Sequence, residues 1–476
     1  MRKQFRLWLV TGTVVGSVIM LAVVCALFTG CGSDGSGGDG EEIFYFLSAW
    51  QSNYDLTGGG GNDSDIHFSR LRAGESGFTP AEPLNSNSSV DVGSDSYPSL
   101  AAGDSGNWVA VWVTDDNFGG TVGTDRDVAF ARSTDSGATW SSVSVLNDTA
   151  SSDSDADDSF PRIANNGSGT WITAWFSEHD LSGAGTDLDI LYTRSVDSGA
   201  TWEATSLLND SGSGDTGSDE NVSLAGGRNG TWIAVWNSDE DLGGAGTDHD
   251  IFYARSTDNG LSWSSTTLLF GDGDGSADSD TDPLVATDGQ GRWIIVWSSL
   301  HDLGSATGPD QELLYVRSTD DGMTWSSVET LNTNATTDIG ADADPRIATD
   351  GAGTWIVTWY TNNLGGTTGD DEDIAFARST DNGATWSTPA ALNSTAESDD
   401  DTADTTPAVS TDGQGNWLVI WESYELLGGG LSGDRDIVGA LSADNGVTWS
   451  EPAMINSFAS EDGDAFDGWA WSAAGP

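Results

Sequence analysis

Seven pairs of acidic residues spaced two apart are the part of this sequence best suited to chemistry. They are Asp63/Asp65, Asp125/Asp127, Asp187/Asp189, Asp248/Asp250, Asp310/Glu312, Asp371/Asp373 and Asp434/Asp436. In an extended strand, residues i and i+2 point the same way. Two carboxylates so placed repel unless a cation or a hydrogen-bond donor separates them. With loop carbonyls they offer the oxygen ligands that Ca²⁺ takes. Ca²⁺ is therefore the expected cofactor, with Asp125, Asp127, Asp187, Asp189, Asp248, Asp250, Asp371, Asp373, Asp434 and Asp436 as candidate ligands. The competing account has each Asp capping its own turn without metal. No organic cofactor is expected. His249 lies between Asp248 and Asp250 but alternates in direction, and His67, His179 and His301 are scattered. A His-based transition-metal site is not expected. Arg162 and Arg346 sit in matching Pro-Arg-Ile-Ala segments, a repeated setting that favours a plain strand start. No catalytic residue is assigned.

The pairs recur because the whole chain recurs. Its strongest marker is Ser-x-Asp-x-Gly-x-[Thr/Ser]-Trp, with aspartates at Asp135, Asp197, Asp258, Asp320, Asp381 and Asp444, 61–63 residues apart. A degenerate copy one period earlier has Phe78 where Trp is expected, and Leu84-Asn85 there matches Leu146-Asn147. Each unit has one order: a short segment after a Pro or its equivalent, a Gly/Asn turn, an alternating segment, a Gly-rich acidic loop, a third segment, the box, and a fourth segment ending in Leu-Asn. In the alternating segment Trp171 and Trp175 are four apart and share one face of a strand. The pattern repeats at Trp108/Trp112, Trp232/Trp236, Trp293/Trp297, Trp355/Trp359 and Trp417/Trp421, with Phe46/Trp50 in the first unit.

Four short strands per period read as one propeller blade, so the fold class is all-β, a seven-bladed β-propeller of four-stranded antiparallel blades. The box Asp can accept from the N–H groups of its own turn, the Gly can take positive φ, and the Trp can pack over the turn. The box aspartates therefore read as structural. The first unit, from residue 41, has no room for its own first strand. Trp469 follows Asn456 by the interval that separates the matching Asn from the next first strand elsewhere. The C-terminal strand is expected to complete the first blade and close the ring, which removes open edges.

The chain has 476 residues, 75 of them acidic and 16 basic, for a formal charge of −59. Such a field repels nucleic acid and anionic bilayer surfaces and attracts cations. Low-lysine, Asp-rich surfaces also suit proteins that stay soluble in high salt, and the two readings are compatible. Arg2, Lys3 and Arg6 precede an apolar run from Leu7 to Phe28, the layout of an export signal. Leu27-Phe28-Thr29-Gly30-Cys31 resembles a bacterial lipobox, with Phe28 where that pattern usually has Leu. Cys25 lies within the apolar run, which leaves Cys31 as the one cysteine of the processed chain and the expected lipid attachment site. An uncleaved N-terminal membrane anchor is the alternative. The expected organisation is a signal peptide over 1–30, a Gly/Ser/Asp tether over 31–40 and the propeller over 41–476. The expected location is export with lipid anchoring to the outer membrane or cell surface.

The boxes resemble the Asp-boxes of the sialidase and BNR-repeat superfamily, and the resemblance covers essentially all of 41–476. It implies the propeller fold. Sialidases of that family are similar in blade construction but have six blades, and seven units are counted here. The family's enzymes bind a substrate carboxylate with three arginines and use a Tyr–Glu pair as nucleophile and an Asp as acid/base. Arg162-Ile163 and Arg346-Ile347 match the start of the family's Arg-Ile-Pro motif, with Ala164 and Ala348 in place of Pro. The resemblance makes Arg162 and Arg346 the candidate ligand-binding cations, since a guanidinium recognises a carboxylate in a bidentate fork. Arg70, Arg132, Arg194, Arg255, Arg317 and Arg378 precede boxes periodically and read as repeat residues. Of Tyr54, Tyr360 and Tyr424, only Tyr424 has a lead, the nearby Glu422, and a solvated loop pair is the expected outcome. The sequence thus favours a surface binding or scaffold module for a glycan or protein ligand on the acidic loop face over a sialidase-like glycoside hydrolase. No nucleic-acid partner is expected.

Overall fold

The computed structural model describes residues 43–476 except 57–62, 90–92, 154–155, 186, 210–216, 272–277, 302, 304–309, 338, 365–370, 394–401, 425–434 and 458–464. Within them, seven four-stranded antiparallel sheets form the blades. Blade 3 is typical. Its inner strand spans Asp158–Asn165, its second Trp171–Ser177, its third Asp189–Ser195, and its outer strand is the two-residue Ser206–Leu207. The inner strand begins three residues ahead of Pro161, so the Pro marks its middle rather than its start.

The paired tryptophans hold the layers together. Trp108, Trp112, Trp171, Trp175, Trp232, Trp236, Trp293, Trp297, Trp355 and Trp359 are each almost wholly buried. Burying one such indole contributes roughly 4–6 kcal/mol before entropy. They sit between blades: Trp232 and Trp236 share a cluster with Ile172, Ala174 and Ile190 of blade 3.

The ring closes as the spacing requires. Asp467–Gly475 is the inner strand of blade 1 and pairs antiparallel with Tyr45–Ser52, Tyr45 opposite Gly475 and Ser52 opposite Asp467. The last residue also reaches blade 2, where Trp108 Nε1 donates to the Pro476 carbonyl at 3.4 Å.

The box turns are built alike in all six copies. Asp197 Oδ1 accepts from Ser195 Oγ at 2.8 Å and Thr201 N at 2.8 Å, and Oδ2 accepts from Thr201 Oγ1 at 2.7 Å. The residue after the Asp takes left-handed φ of 59–62° at Ser136, Ser198, Asn259, Asp321, Asn382 and Asn445. These are small polar types that pay little there. Gly137 follows at φ 71°, and a Cβ on it would collide with Leu47 Cδ1 of blade 1.

Each box also reaches beyond its own hairpin, and its Trp has a second contact besides the turn: a Cβ on Gly199 or Gly383 would lie 3.8 Å from the Trp202 or Trp386 ring of the same box. The box Trp packs edge-on against an aromatic residue of the preceding blade: Trp140 on Phe68, Trp202 on Phe130, Trp263 on Tyr192, Trp325 on Tyr253, Trp386 on Tyr315 and Trp449 on Phe376. The periodic arginines complete the contact. Arg194 Nε donates to the Asn259 carbonyl at 2.9 Å and Arg255 Nε to that of Asp321 at 2.7 Å, each in the next blade's box. Ser198 N, Asn259 N and Asp321 N donate to Gly169, Gly230 and Gly291 in the first turns of their own blades. Box turns and first turns therefore share one face, and the acidic loops occupy the other.

Candidate functional site

The inner strand of every blade is bulged near its start. In blade 3, Ser159 pairs with Phe176 but Arg162 pairs with Ala174, so one extra residue is accommodated between them. The same slip occurs in blades 2, 4, 5, 6 and 7, and an irregularity marks the closing pair of blade 1. At the bulge one residue takes left-handed backbone: Tyr97, Phe160, Asn221, Asp282, Asp344, Thr406 and Trp469, with φ between 49° and 54°. For non-glycine residues this costs about 1–2 kcal/mol each. A cost repeated once per blade identifies a designed feature.

These seven residues form a ring at the axial mouth on the acidic-loop face, and the ring has two halves. Blades 1 to 3 supply aromatics. The Tyr97 ring lies 4.1 Å from that of Phe160 and 4.8 Å from that of Trp469. Phe160 also stacks on Phe176 at 5.5 Å. Blades 4 to 7 supply Asn221, Asp282, Asp344 and Thr406, and Asn221 Nδ2 donates to Asp282 Oδ1 at 3.2 Å. Burial, and then the charge of Asp344, pushes the Asp282 carboxyl above its ordinary range.

Two residues further along the same strands, Arg162, Arg346 and Trp471 fill the axis below the ring. The Arg162 guanidinium lies 4.7 Å and that of Arg346 5.7 Å from the Trp471 ring centre. Both sequence-predicted arginines therefore meet at one indole. Arg346 donates to Asp344 Oδ1 at 2.6 Å, while the one hydrogen bond of the Arg162 guanidinium among the described residues is a 3.4 Å contact to the Pro161 carbonyl. Burial, and then the neighbouring Arg346 charge, lowers the Arg162 pKa to about 9. Below this plug a cavity of about 110 Å³ is lined by Ser223, Leu284, Val285 and Val409 among others.

Glu422 is not a solvated loop residue. It is 2% exposed, because it lies near the end of the second strand of blade 7, under the chain's C-terminal strand. Glu422 Oε1 accepts from Trp469 N at 2.5 Å and Oε2 from Arg435 NH1 at 2.8 Å. Arg435 Nε donates to Tyr424 Oη at 2.6 Å. The Glu and the Tyr thus flank one guanidinium, which packs over Tyr424 and Phe466. With Arg435 committed there, no third arginine joins Arg162 and Arg346 among the described residues, and the three-arginine clamp is not formed.

The acidic pairs have a different place, at the junctions between blades. The second member of each pair begins a third strand, as Asp127, Asp189, Asp250, Asp373 and Asp436 do. It is buried there with the Asp that begins the next blade's inner strand. One Asn bridges the two. Asn147 donates to Asp127 Oδ1 at 2.9 Å and Asp158 Oδ2 at 2.7 Å. Asn209 does so to Asp189 at 2.8 Å and Asp219 at 2.5 Å, and Asn393 to Asp373 at 2.7 Å and Asp404 at 2.9 Å. Asn85, Asn332 and Asn456 repeat the bridge, Asn332 with Glu312 and Asp342. After blade 4, Phe270-Gly271 replaces Leu-Asn. Phe270 packs 5.5 Å from Trp297, whose Nε1 donates to Asp280 Oδ1 at 2.9 Å.

Burying acidic groups in contact raises their pKa values. Burial, with the Asp153 and Asp125 charges, takes Asp127 up to about 7 despite the Asn147 bond. Burial and the Asp187 and Asp180 charges take Asp189 up to about 6. Asp125, Asp127 and Asp153 bring one oxygen each within 4.8 Å of one another, the arrangement that can hold a metal ion. Asp187 stands beside Asp189 and Asp248 beside Asp250, while Asp371 Oδ2 accepts from Thr402 N at 3.2 Å. Asp434 and Cys31 lie outside the described residues. Sequence reasoning missed the axial ring and the bridging Asn, although the Asn was visible as a repeat marker.

No family model matches the chain, and no curated protein matches it. Solved structures that it is similar to include a protein of unknown function from Dyadobacter fermentans, with 14% identity, 74% of this chain and 94% of that chain covered, and a TM-score of 0.45. A Hadza microbial sialidase shares 14% identity over 90% of this chain and 84% of its own, at a TM-score of 0.42. An ulvan lyase of a polysaccharide lyase family shares 12% identity over 75% and 84%, at a TM-score of 0.46. The propeller assignment stands on the strand pairing itself.

Proposed function

We propose that this protein is an exported, lipid-anchored surface module whose propeller binds a glycan at its axial mouth. One observation carries the reading. Within a unit that repeats seven times, the bulged inner-strand residue is a position that breaks the repeat, and it breaks it into an aromatic half and a polar half. Tyr97, Phe160 and Trp469 offer faces on which a pyranose ring can stack, and Asn221, Asp282 and Asp344 stand opposite as partners for its hydroxyls. Sites with a few placed polar groups among aromatics are how concave pockets fix orientation. Trp469, at 36% exposed, is the accessible member. Arg162, Arg346 and Trp471 form the floor. Divalent cations, Ca²⁺ by ligand type, belong to the acidic loop face in the same reading. The residues before the propeller supply export, and Cys31 the lipid, which mass spectrometry of the processed N-terminus tests directly.

The binding reading is tested by presenting the purified protein to an array of neutral and acidic glycans, then titrating any that bind by calorimetry. Trp469→Ala is expected to weaken binding at least tenfold with the circular dichroism spectrum unchanged. Equal affinity in that variant removes the axial mouth from the account. Reproducible turnover of a sialoside or related glycan, abolished by Asp344→Asn or Glu422→Gln, replaces binding with the hydrolase alternative.

A further inference from the structure

The loop between blades 2 and 3 returns an acidic side chain to a junction that already holds two buried carboxylates. Asp153 is 6% exposed, and neither of its carboxylate oxygens has a hydrogen-bond partner among the described residues. A buried polar group without a partner is costly for a fold to carry. The chain nevertheless fixes it there. Ala156 N donates to the Asp153 carbonyl at 2.7 Å and Ser152 N to that of Thr149 at 2.6 Å, and Gly123 N donates to Ala150, tying the loop to the segment that carries Asp125 and Asp127. On the other side, Arg126 N donates to Asp157 Oδ1 at 3.0 Å and Asp158 N to the Arg126 carbonyl at 2.9 Å.

Asp153 is aimed at Asp125 and Asp127, with one oxygen of each within 4.8 Å of the others. The charges that act on Asp127 come from Asp153, Asp125 and Asp157, all acidic. Arg126, the nearest basic residue in sequence, is exposed. The Asn147 amide, the donor between the blades, is spent on Asp127 Oδ1 and Asp158 Oδ2. We propose that Asp125, Asp127 and Asp153 are the protein ligands of a Ca²⁺ ion that clamps blade 2 to blade 3. Oxygen-only ligands suit a hard cation. Ca²⁺ holds its oxygens at about 2.3–2.6 Å, so ligands on opposite sides of the ion stand about 4.6–5.2 Å apart. The observed spread fits within one such shell. Mg²⁺ demands about 2.0–2.1 Å and near-ideal octahedral geometry, which this set, drawn from a strand start and a loop, does not impose. The site sharpens the Ca²⁺ reading of the loop face to three residues and is independent of what the axial mouth binds.

The test uses the processed full-length protein, stripped with chelator and titrated with Ca²⁺ at fixed high ionic strength, followed by calorimetry and thermal melting. The expected result is a saturable event and a rise in melting temperature that saturates with it. In Asp153→Asn the tightest event is lost or weakened at least tenfold, and the bound Ca²⁺ counted by elemental analysis falls by one. The stripped variant should melt no lower than the stripped parent, because a repulsive charge has gone. If Asp153→Asn does not fold, Asp125→Asn, at the half-exposed edge of the group, takes its place with the same expectation. Unchanged Ca²⁺ stoichiometry and affinity in the folded variant, or no Ca²⁺ binding by the parent, overturns the site. Equal stabilisation by Mg²⁺ overturns the choice of ion. Glycan binding measured on the same variant reports separately on the axial mouth.

Discussion

Aspartate is used in opposite ways on the two faces of this propeller. On the box face, each Asp is exposed or half-exposed and surrounded by donors from its own turn. Asp320 accepts from Thr324 Oγ1, Thr324 N and Ser318 Oγ, and these bonds lower its pKa to about 2. On the loop face, the Asp is buried, meets another Asp from the next blade, and shares a single Asn amide with it. Burial pushes Asp189 up to about 6 and Asp158 well above the ordinary carboxylate range. The first arrangement is local, repeats in every box, and is satisfied within one hairpin. The second is long-range and leaves charge to be neutralised by a proton or a cation. A rigid, self-satisfied face thus carries one that is poised to bind, the division expected when function sits on loops over a fixed scaffold.

The sharpest way to break the loop-face arrangement is to remove its bridge. Asn209→Ala takes the shared donor from Asp189 and Asp219, and the acceptor from the Ile190 N–H, which donates to Asn209 Oδ1 at 3.1 Å. Leaving buried acidic groups without their donor is expected to cost about 3 kcal/mol, read as a fall in the urea midpoint at unchanged slope. If the variant unfolds as the parent does, the bridge is not what holds blades 3 and 4 together. The box face should respond less. Asp197→Ala removes an exposed acceptor from Ser195, Thr201 N and Thr201 Oγ1, and the loss expected is about 1 kcal/mol, on the scale of a helix N-cap. A larger loss than for Asn209→Ala reverses the comparison.

How much of this was legible in the sequence follows from the range of each interaction. The boxes declared themselves because every partner of Asp197 lies within four residues. The blades were legible from Trp171 and Trp175, whose spacing needs only strand geometry to place them on one face. Closure was legible by counting from Asn456 to Trp469. The bridging Asn recurred just as visibly, but its partners lie 10–11 and 20 residues away in two different blades, and recurrence does not name a partner. The box Trp was placed on its own turn, and its further contact with the preceding blade is one that only packing makes. Glu422 looked solvated because the strand that buries it, Asp467–Gly475, belongs to another blade, 47 residues further along at the Trp469 contact. The axial ring escaped notice for the opposite reason to the Asn: its residues do not recur. Variation inside a repeated unit was the signal, and it is shared by Tyr97, Phe160, Asn221, Asp282, Asp344, Thr406 and Trp469 and by the residues two further along each strand.

The comparison also has a sign in pH, which gives the smallest expected effect and separates the faces without mutation. A box Asp is depressed in the folded state. Its contribution is present above the unfolded carboxylate pKa near 4 and lost as pH falls towards about 2, the value reached at Asp320. Asp189 is raised in the folded state to about 6. Its contribution is complete below the unfolded value and is lost as pH rises through about 6, because the unfolded chain then releases a proton that the folded junction retains. The groups facing Asp189 are the acidic Asp187, Asp180 and Asp219, with the neutral Asn209 as donor, so nothing nearby reverses the sign. Chelated protein at moderate, constant ionic strength should therefore melt highest near pH 4–5. The melting temperature should decline by a few degrees towards pH 7 and more steeply below pH 3. Asp189→Asn should flatten the upper limb alone, since an amide in that place has no proton to release. Asp320→Asn should act on the lower limb alone. A melting temperature that rises steadily from pH 4 to pH 7 in the chelated parent would mean that the junction carboxylates are ionised and paired with a donor other than the Asn. The two faces would then use Asp in the same way.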